Sequence, residues 1–427
     1  LHLSIRRQRQ MCIRDRSTGS VQIVNYAKSI GIYTIVTDFF SIEQSEAKRY
    51  ADECWNISTA DVNQLEKKCI EENVDGVFAG VSEFNLDKVL ELTERLHLPC
   101  YINKNAWGYA RNKYEFKQVC KKVGAPVSPD FCCDGYPSEE DMANVVYPVV
   151  VKPVDKSSNK GLTFVNNKEE LLQAIEKVKT VSDNPNVIVE RKLHGQEVTA
   201  YYAIANGEPS LVSFYSMNSE PGMPIYTYSL TTTVSDTLLD KYVAEVDEKV
   251  KQVIKEIKCK DGIAWFEIIY DEDGHFYLLE MGHRLPGDMM FVPLTDVTGF
   301  NSIAWLVNYA VGNDLDSRVL PQSQKEPYKK CGCSYMLWTK QGGKITQIIG
   351  LDKYKNDTNF FVHEIAHKNS DVQQYRPLSI ITFTVENCQK MCDVIEDINK
   401  TVHYKDEHGN DMLIYFDDYS HLLSQAR

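Results

Sequence analysis

Two acids in the stretch A-W-F-E-I-I-Y-D-E-D-G-H-F-Y-L-L-E-M-G-H-R-L-P-G, Ala264 to Gly287, have a spacing that could do chemistry. Apolar runs on either side of Asp273-Gly274 read as two antiparallel strands joined by a tight turn. A two-residue turn at that dipeptide sets Glu267 directly opposite Glu280. Side chains so opposed have Cβ atoms roughly 4.5 to 5.5 Å apart, and two like charges there destabilise the hairpin unless a cation lies between them. Oxygen ligands without histidine or thiolate favour Mg2+ or Mn2+ over zinc. A four-residue turn centred on Glu272 and Asp273 would instead pair Glu280 with Trp265 and leave one acid to solvent. Arg284 follows Glu280 by four residues, where the strand gives way to L-P-G, and a guanidinium at the edge of a magnesium site suits phosphate or carboxylate.

A second cluster is basic. In V-V-V-K-P-V-D-K-S-S-N-K-G-L-T-F-V, Val149 to Val165, Lys152 ends one apolar strand, and Lys156, Ser157, Ser158, Lys160 and Gly161 lie in the loop before the next. Backbone N–H groups, hydroxyls and ammonium ions on such a loop can wrap polyphosphate, with the glycine letting the chain bend. The G-x-x-x-x-G-K-[ST] pattern of a P-loop is absent. A rival motif is H-E-I-A-H, His363 to His367, which matches H-E-x-x-H of zinc peptidases. On a helix its histidines would share a face; on a strand they would lie roughly 13 Å apart, too far to hold one ion. The preceding N-F-F-V favours a strand, and K-N-S-D would cut a helix short. Cys331/Cys333 and Cys388/Cys392 lack the partner spacing of a zinc site.

These residues need elements to hold them. A chain of 427 residues can form two to four domains. Its net charge of -13 repels nucleic acid and anionic membrane as a whole, so any bound anion depends on local basic groups. No apolar run reaches the roughly 18 residues of a membrane span, and twelve scattered cysteines fit a reducing cytoplasm. Residues 1–16 hold five arginines and resemble the translation of a sequencing adaptor more than a transit peptide, so they are expected to be non-native or disordered and outside the fold.

From Ser17 to 104, helical pattern alternates with the short apolar strands I-Y-T-I-V-T-D, C-W-N-I-S, G-V-F-A-G and P-C-Y-I-N. This is a Rossmann-like parallel α/β unit that starts one strand late, its first strand missing. Residues 105–315 read as an α+β domain of antiparallel hairpins and helices, with turn signals at Asn206-Gly207 and Asp273-Gly274. A polar linker at 316–328 precedes a β-rich domain, 329–427, that closes with a helix from about Asn387 to Val402.

Over Asn105 to Gly312 the sequence resembles the ATP-grasp superfamily: a lysine on a helix before G-A-P-V (Lys113), V-V-K-P (Lys152), a polar loop ending in glycine, V-I-V-E-R-K-L-H-G-Q-E, and paired acids followed by an arginine. The resemblance implies an ATP-grasp fold between the Rossmann-like domain and a small C-terminal domain, the layout of carboxylate-amine ligases of the biotin-carboxylase and carbamoyl-phosphate-synthase kind. It implies that Lys113 and Lys152 hold ATP phosphates under the loop of Lys156, Ser157, Ser158, Lys160 and Gly161. Glu190 would lie at the adenine, with the backbone of Arg191 and Leu193 beside it, and Glu197 at the ribose. Glu267 and Glu280 would hold two Mg2+ (or Mn2+) ions, and Arg284 and Lys152 would act in catalysis. Members often carry an asparagine ligand where this chain has Gly282, so water or substrate would complete the metal shell.

The implied reaction activates a small-molecule carboxylate as an acyl phosphate for attack by an amine, with no nucleic acid or membrane partner and a homodimer open to the chain. The alternatives are an ATP-binding regulatory subunit without turnover, and a zinc peptidase at His363 and His367. Substrate contacts are expected in Ser216 to Thr233, with Tyr226 and Tyr228 as candidates set against ordinary strand packing.

Overall fold

The computed structural model describes residues 8–13, 19–156, 160–220, 229–313 and 319–425, with backbone alone for 229–231. The first unit is a parallel sheet of β1 (Gln10–Ile13), β2 (Tyr33–Thr37), β3 (Glu53–Trp55) and β4 (Gly76–Phe78) in the order β3-β2-β1-β4. Helices α1 (Ser20–Ser29), α2 (Val62–Glu71) and α3 (Glu83–Leu96) cover it. Strand β1 overturns one expectation: residues 10–13, placed outside the fold, supply the inner strand that the alternation lacked. Met11, Cys12 and Ile13 are fully buried there, paired to β2 and β4, because an inner parallel strand needs apolar side chains on both faces. A second correction concerns Pro99 to Asn103, expected as a strand. Tyr101 and Ile102 are buried, but the segment joins no ladder and ends with the Asn103 side chain capping α4 (Lys104–Arg111).

Helix α4 gives way to α5 (Lys113–Val123) at Asn112, whose extended backbone breaks the run and whose side chain caps α5 by accepting from Tyr114 N and Glu115 N. There follow β5 (Asp130–Asp134), α6 (Glu139–Asn144), β6 (Val149–Pro153), β7 (Thr163–Val165), α7 (Lys168–Val181) and β8 (Asn186–Arg191), the strands forming an antiparallel sheet β5-β8-β6-β7. Helix α7 buries Leu171, Ala174, Ile175 and Val178 against Val149, Val151, Val187 and Val189. Period two then turns Val150, Lys152 and Glu190 to the opposite face.

The large sheet starts with β9 (Gly195–Ala205), β10 (Glu208–Asn218) and β11 (Ser229–Thr231). After α8 (Asp236–Glu245) and α9 (Asp247–Glu256) it gains β12 (Gly262–Asp271) and β13 (Phe276–Gly282), and after α10 (Phe291–Thr298) and α11 (Ser302–Ala310) it gains β14 (Cys331–Thr339). The order is β13-β12-β9-β10-β11-β14, continued by Pro377–Val385 and then Phe360–Glu364. The Asn206-Gly207 signal makes the expected two-residue turn, with φ 52° and 81°. Segment 319–328 has no regular structure but lies along β10, where Gln324 bonds through its N–H to Leu211 O and through its side chain to Phe214 N. The last long helix, Cys388–Thr401, starts at an Asn387 cap, close to the expected bounds.

Candidate active site

Glu267 and Glu280 do face each other across β12 and β13, but by another route than a two-residue turn. The loop has three residues, Glu272 to Gly274, closed by Asp271 N to His275 O and Gly274 N to Asp271 O at 2.9 Å each, with Gly274 at φ 80°. That loop alone would set Glu280 against Phe266. A bulge between Glu267 and Ile268 shifts the register by one residue and restores the opposition. The same row runs on across the sheet, Glu267 opposite Thr199 and Thr199 opposite Tyr215. Burial, with Glu280 and Glu197 nearby, pushes the Glu267 carboxyl well up. Burial acts on Glu280 too, but Lys113, with Lys152 and Arg284 further off, more than offsets it and holds Glu280 below the usual carboxylate range.

Lys113, at the start of α5, pairs with Glu280 and donates to Lys156 O at 3.1 Å. Lys152 pairs with Glu190 Oε1, and Lys117, one helical turn after Lys113, pairs with Glu190 Oε2 and donates to Ser128 Oγ at 3.1 Å. The Lys117 and Glu190 side chains are only 0% and 5% exposed. Burial raises Glu190, yet its two lysines overcome that and bring it down to about 2. Burial lowers Lys152, partly offset by Glu190. Lys117 was missed in the sequence; its signal is the i, i+4 step from Lys113, which puts both on one face of α5.

Arg284 is oriented from three sides. Its guanidinium lies 5.1 Å from the Trp265 ring, its Nη2 donates to Glu83 at 3.0 Å, and its carbonyl accepts from Trp265 Nε1 at 2.9 Å. Its buried Nε has no partner among the described residues. Glu83, at the start of α3, also pairs with Arg111. Gly282 is explained by Trp265, its cross-strand neighbour: a Cβ at 282 would lie 2.0 Å from the indole. Beyond Arg284 the chain turns through Asp288, which caps Met290 N at 2.7 Å, and through Met289, at φ 62° and fully buried.

Of the residues singled out in the sequence, Lys113, Lys152, Glu190, Arg191, Leu193, Glu197, Glu267 and Glu280 line one cleft of about 110 Å³ between the small sheet and the large one. Val150, Phe164, Ile269 and Leu279 add an apolar wall. Lys156 reaches the cleft through its carbonyl only, while its ammonium pairs with Asp155 at 3.3 Å. Gly161 sits at φ 80° against Val181 and Pro153, and Lys160 is exposed. Ser157, Ser158, Tyr226 and Tyr228 lie outside the described residues.

The ATP-grasp domain family matches residues 145–291. A D-alanine–D-alanine ligase of Actinobacillus pleuropneumoniae is 27% identical over 240 residues, 53% of this chain and 74% of the relative. The chain belongs to the ATP-grasp superfamily. It is an enzyme of the carboxylate-amine ligase type. Its fold is shared with an L-amino acid ligase from Bacillus licheniformis (TM-score 0.74, 16% identity, 94% of this chain and 99% of that one). It is shared too with the biotin carboxylase domain of the Hydrogenobacter thermophilus 2-oxoglutarate carboxylase, a dimer in complex with MgADP, ADP and bicarbonate (TM-score 0.76, 15% identity, 97% and 98%).

ATP-grasp ligases use ATP and Mg2+, and this chain's residues fit both. Two opposed carboxylates, one with its charged form disfavoured by the other, form half a cation site. Among the described residues no cluster of three or more His, Cys, Asp or Glu side chains makes a closed cage. An ion held by two carboxylates and completed by phosphate oxygens and water is the habit of Mg2+. The zinc-peptidase alternative has no such support: His363 and Glu364 lie on the strand Phe360–Glu364, His367 lies beyond it bonded to Glu364 at 2.9 Å, and burial brings His363 down to about 4. Among the described residues no helix is long and apolar enough to cross a membrane.

Proposed function

We propose that this chain couples ATP hydrolysis to joining a small-molecule carboxylate and an amine through an acyl phosphate. The observation that carries the reading is the convergence of Glu267 and Glu280 with Lys113 and Lys152 in one cleft. Phosphoryl transfer asks little covalent chemistry of a protein and much positioning and charge neutralisation. Lys113 and Lys152 would take the phosphates, released from Glu280 and Glu190 as they do so. The loop of Lys156, Lys160 and Gly161 would close over them, with Ser157 and Ser158 as further donors. Glu190, the backbone of Arg191 and Leu193, and the apolar wall of Val150 and Leu279 would hold the base, and Glu197 the ribose. Glu267 and Glu280 would hold magnesium, two ions by expectation, whose chemistry is to bridge and screen the polyphosphate. Arg284, kept in place by Trp265 and Glu83, would stabilise the oxyanion that forms as the acyl phosphate is made and attacked. The twelve cysteines, scattered along a long chain, support a reducing compartment such as the cytoplasm.

The test is phosphate release from Mg-ATP across carboxylate and amine pairs drawn from the proteinogenic amino acids and common dicarboxylates. Release that needs both partners is expected, and Glu280→Gln should cut it at least 100-fold. Nucleotide binding without release from any pair would favour a regulatory subunit, and full turnover in Glu280→Gln would remove the metal assignment.

A further inference from the structure

Helix α5 carries a lysine on each of three successive turns, Lys113, Lys117 and Lys121, and each meets an acid from a different strand. Lys113 pairs with Glu280 of β13, Lys117 with Glu190 of β8, and Lys121 with Asp130 of β5, the last at 2.9 Å. A spacing of four residues puts all three on one face of the helix. Their side chains differ in freedom: Lys113 is 17% exposed, Lys121 42% and Lys117 0%. The middle lysine has no route to solvent, and it does not line the cleft.

Glu190 is therefore held unequally on its two sides. Its Oε2 accepts from Lys117 and, at 3.3 Å, from the hydroxyl of Ser128, which is fully buried and itself accepts from Lys117 at 3.1 Å. Arg191 N donates to Pro129 O at 3.0 Å, fastening the Ser128 segment to β8 one residue past Glu190. On the other side Oε1 pairs with Lys152, which lines the cleft together with Glu190. When Lys152 turns to a phosphate, Oε1 is left open toward the cleft while Oε2 keeps its partners. A carboxylate so held stays ionised and can only accept.

We propose that Lys117 is the positioning residue for selection of the nucleotide base: by holding Glu190 ionised with Oε1 open to the cleft, it favours a purine that donates a hydrogen bond from position 6 and rejects one that presents a carbonyl there. This rests on the reading above, in which the cleft takes ATP with its base at Glu190, and adds the residue that fixes what Glu190 can recognise. The 6-amino group of adenine donates to Oε1. The 6-carbonyl of hypoxanthine or guanine sets acceptor against acceptor with no proton between them, which leaves both unpaired. Lys117 touches no part of the base and acts through Glu190. Without it, Glu190 would be buried with no cation once Lys152 had left, and burial then favours the protonated form. A protonated carboxyl donates as well as accepts, so both kinds of base would fit.

Three diphosphates separate this role from general damage to the cleft: ADP carries an amino group at position 6, purine riboside diphosphate a hydrogen, and IDP a carbonyl. Their dissociation constants in the presence of Mg2+ would be measured by calorimetry for the full chain as wild type, Lys117→Met and Ser128→Ala. Wild type is expected to prefer ADP to IDP about 100-fold or more, because a site built around a hydrogen bond strongly rejects the analogue that cannot make it. Lys117→Met should bring that preference down to about threefold, while its affinity for purine riboside diphosphate stays within about threefold of wild type. Ser128→Ala, which keeps the lysine but removes its neighbour, should lie between the two and carries the test if Lys117→Met does not fold. A preference for ADP undiminished in the variants, or equal weakening of all three nucleotides, would overturn the assignment. Failure of ADP to bind wild type would overturn the nucleotide reading, and this proposal with it, and is distinguishable because no variant enters that result.

Discussion

At Glu190 one carboxylate answers two buried ammonium ions, and among the described residues neither lysine forms an ion pair with a second acid. Breaking a buried pair from one side strands the other charge, at a cost of about 3–5 kcal/mol. Glu190→Gln should therefore lower stability by about that amount in urea titrations, with a matching loss of nucleotide affinity. The pH dependence has a definite sign. A carboxyl brought down to about 2 in the folded state and near 4.5 when free adds stability above pH 4.5 that disappears as pH falls toward 2. Acid unfolding curves of wild type should be steeper across that window than those of Glu190→Gln. The sequence made Lys113, Lys152 and Glu190 legible as types near one site, because each sits in a recognisable local run. It did not make their mutual pairing legible: which lysine meets which glutamate depends on α5 crossing the small sheet, a contact between segments more than 70 residues apart.

The hairpin of β12 and β13 is the element on which the metal reading rests. Its turn departs from the one the sequence suggested and its bulge compensates, because Asp-Gly serves a three-residue loop as readily as a two-residue one. The opposition of the acids was expected from a two-residue turn that the chain does not make; it holds because the bulge cancels the extra loop residue, and no residue type marks that bulge. Gly282, by contrast, has a reason that only the structure supplies. Gly282→Asn would introduce the asparagine that the ATP-grasp resemblance leads one to expect there, but its Cβ would meet the Trp265 indole at 2.0 Å, and overpacking of this kind costs about 1–3 kcal/mol. The expected outcome is a lower melting temperature, a shift in tryptophan emission and reduced turnover, because a displaced Trp265 no longer flanks Arg284. Unchanged emission and turnover would show that the indole has room to move. Strand β1 teaches the complementary lesson: Q-M-C-I is short and lies among arginines, so its strand character comes from the two neighbours it pairs with.

Over the whole molecule, the three-part layout was readable from pattern and turn signals, and the way the parts interlock was not. One apolar core joins the parallel sheet to α10, α11 and the face of β12 that carries Trp265. Through it α3 delivers Glu83 to Arg284, a contact spanning 201 positions. A hydrogen bond to a charged group contributes about 1.5–3 kcal/mol. Glu83→Gln should accordingly cut kcat/KM about 10- to 100-fold while leaving the dissociation constant for ADP unchanged, measurable by calorimetry beside steady-state rates. The nine-stranded sheet likewise runs from the acids through β11 and β14 into the C-terminal strands, so the tail is part of the platform under the cleft.

The pairing of Lys113 with Glu280 has a thermodynamic consequence. Lys113 cannot turn to a phosphate and keep Glu280, and Glu280 cannot turn to a cation and keep Lys113, so whichever leaves first lightens the other's departure. Linkage then makes the two affinities reciprocal: the factor by which magnesium tightens ADP equals the factor by which ADP tightens magnesium. In Lys113→Met, where Glu280 has nothing to give up, titrations of each ligand with and without the other should show that shared factor shrink.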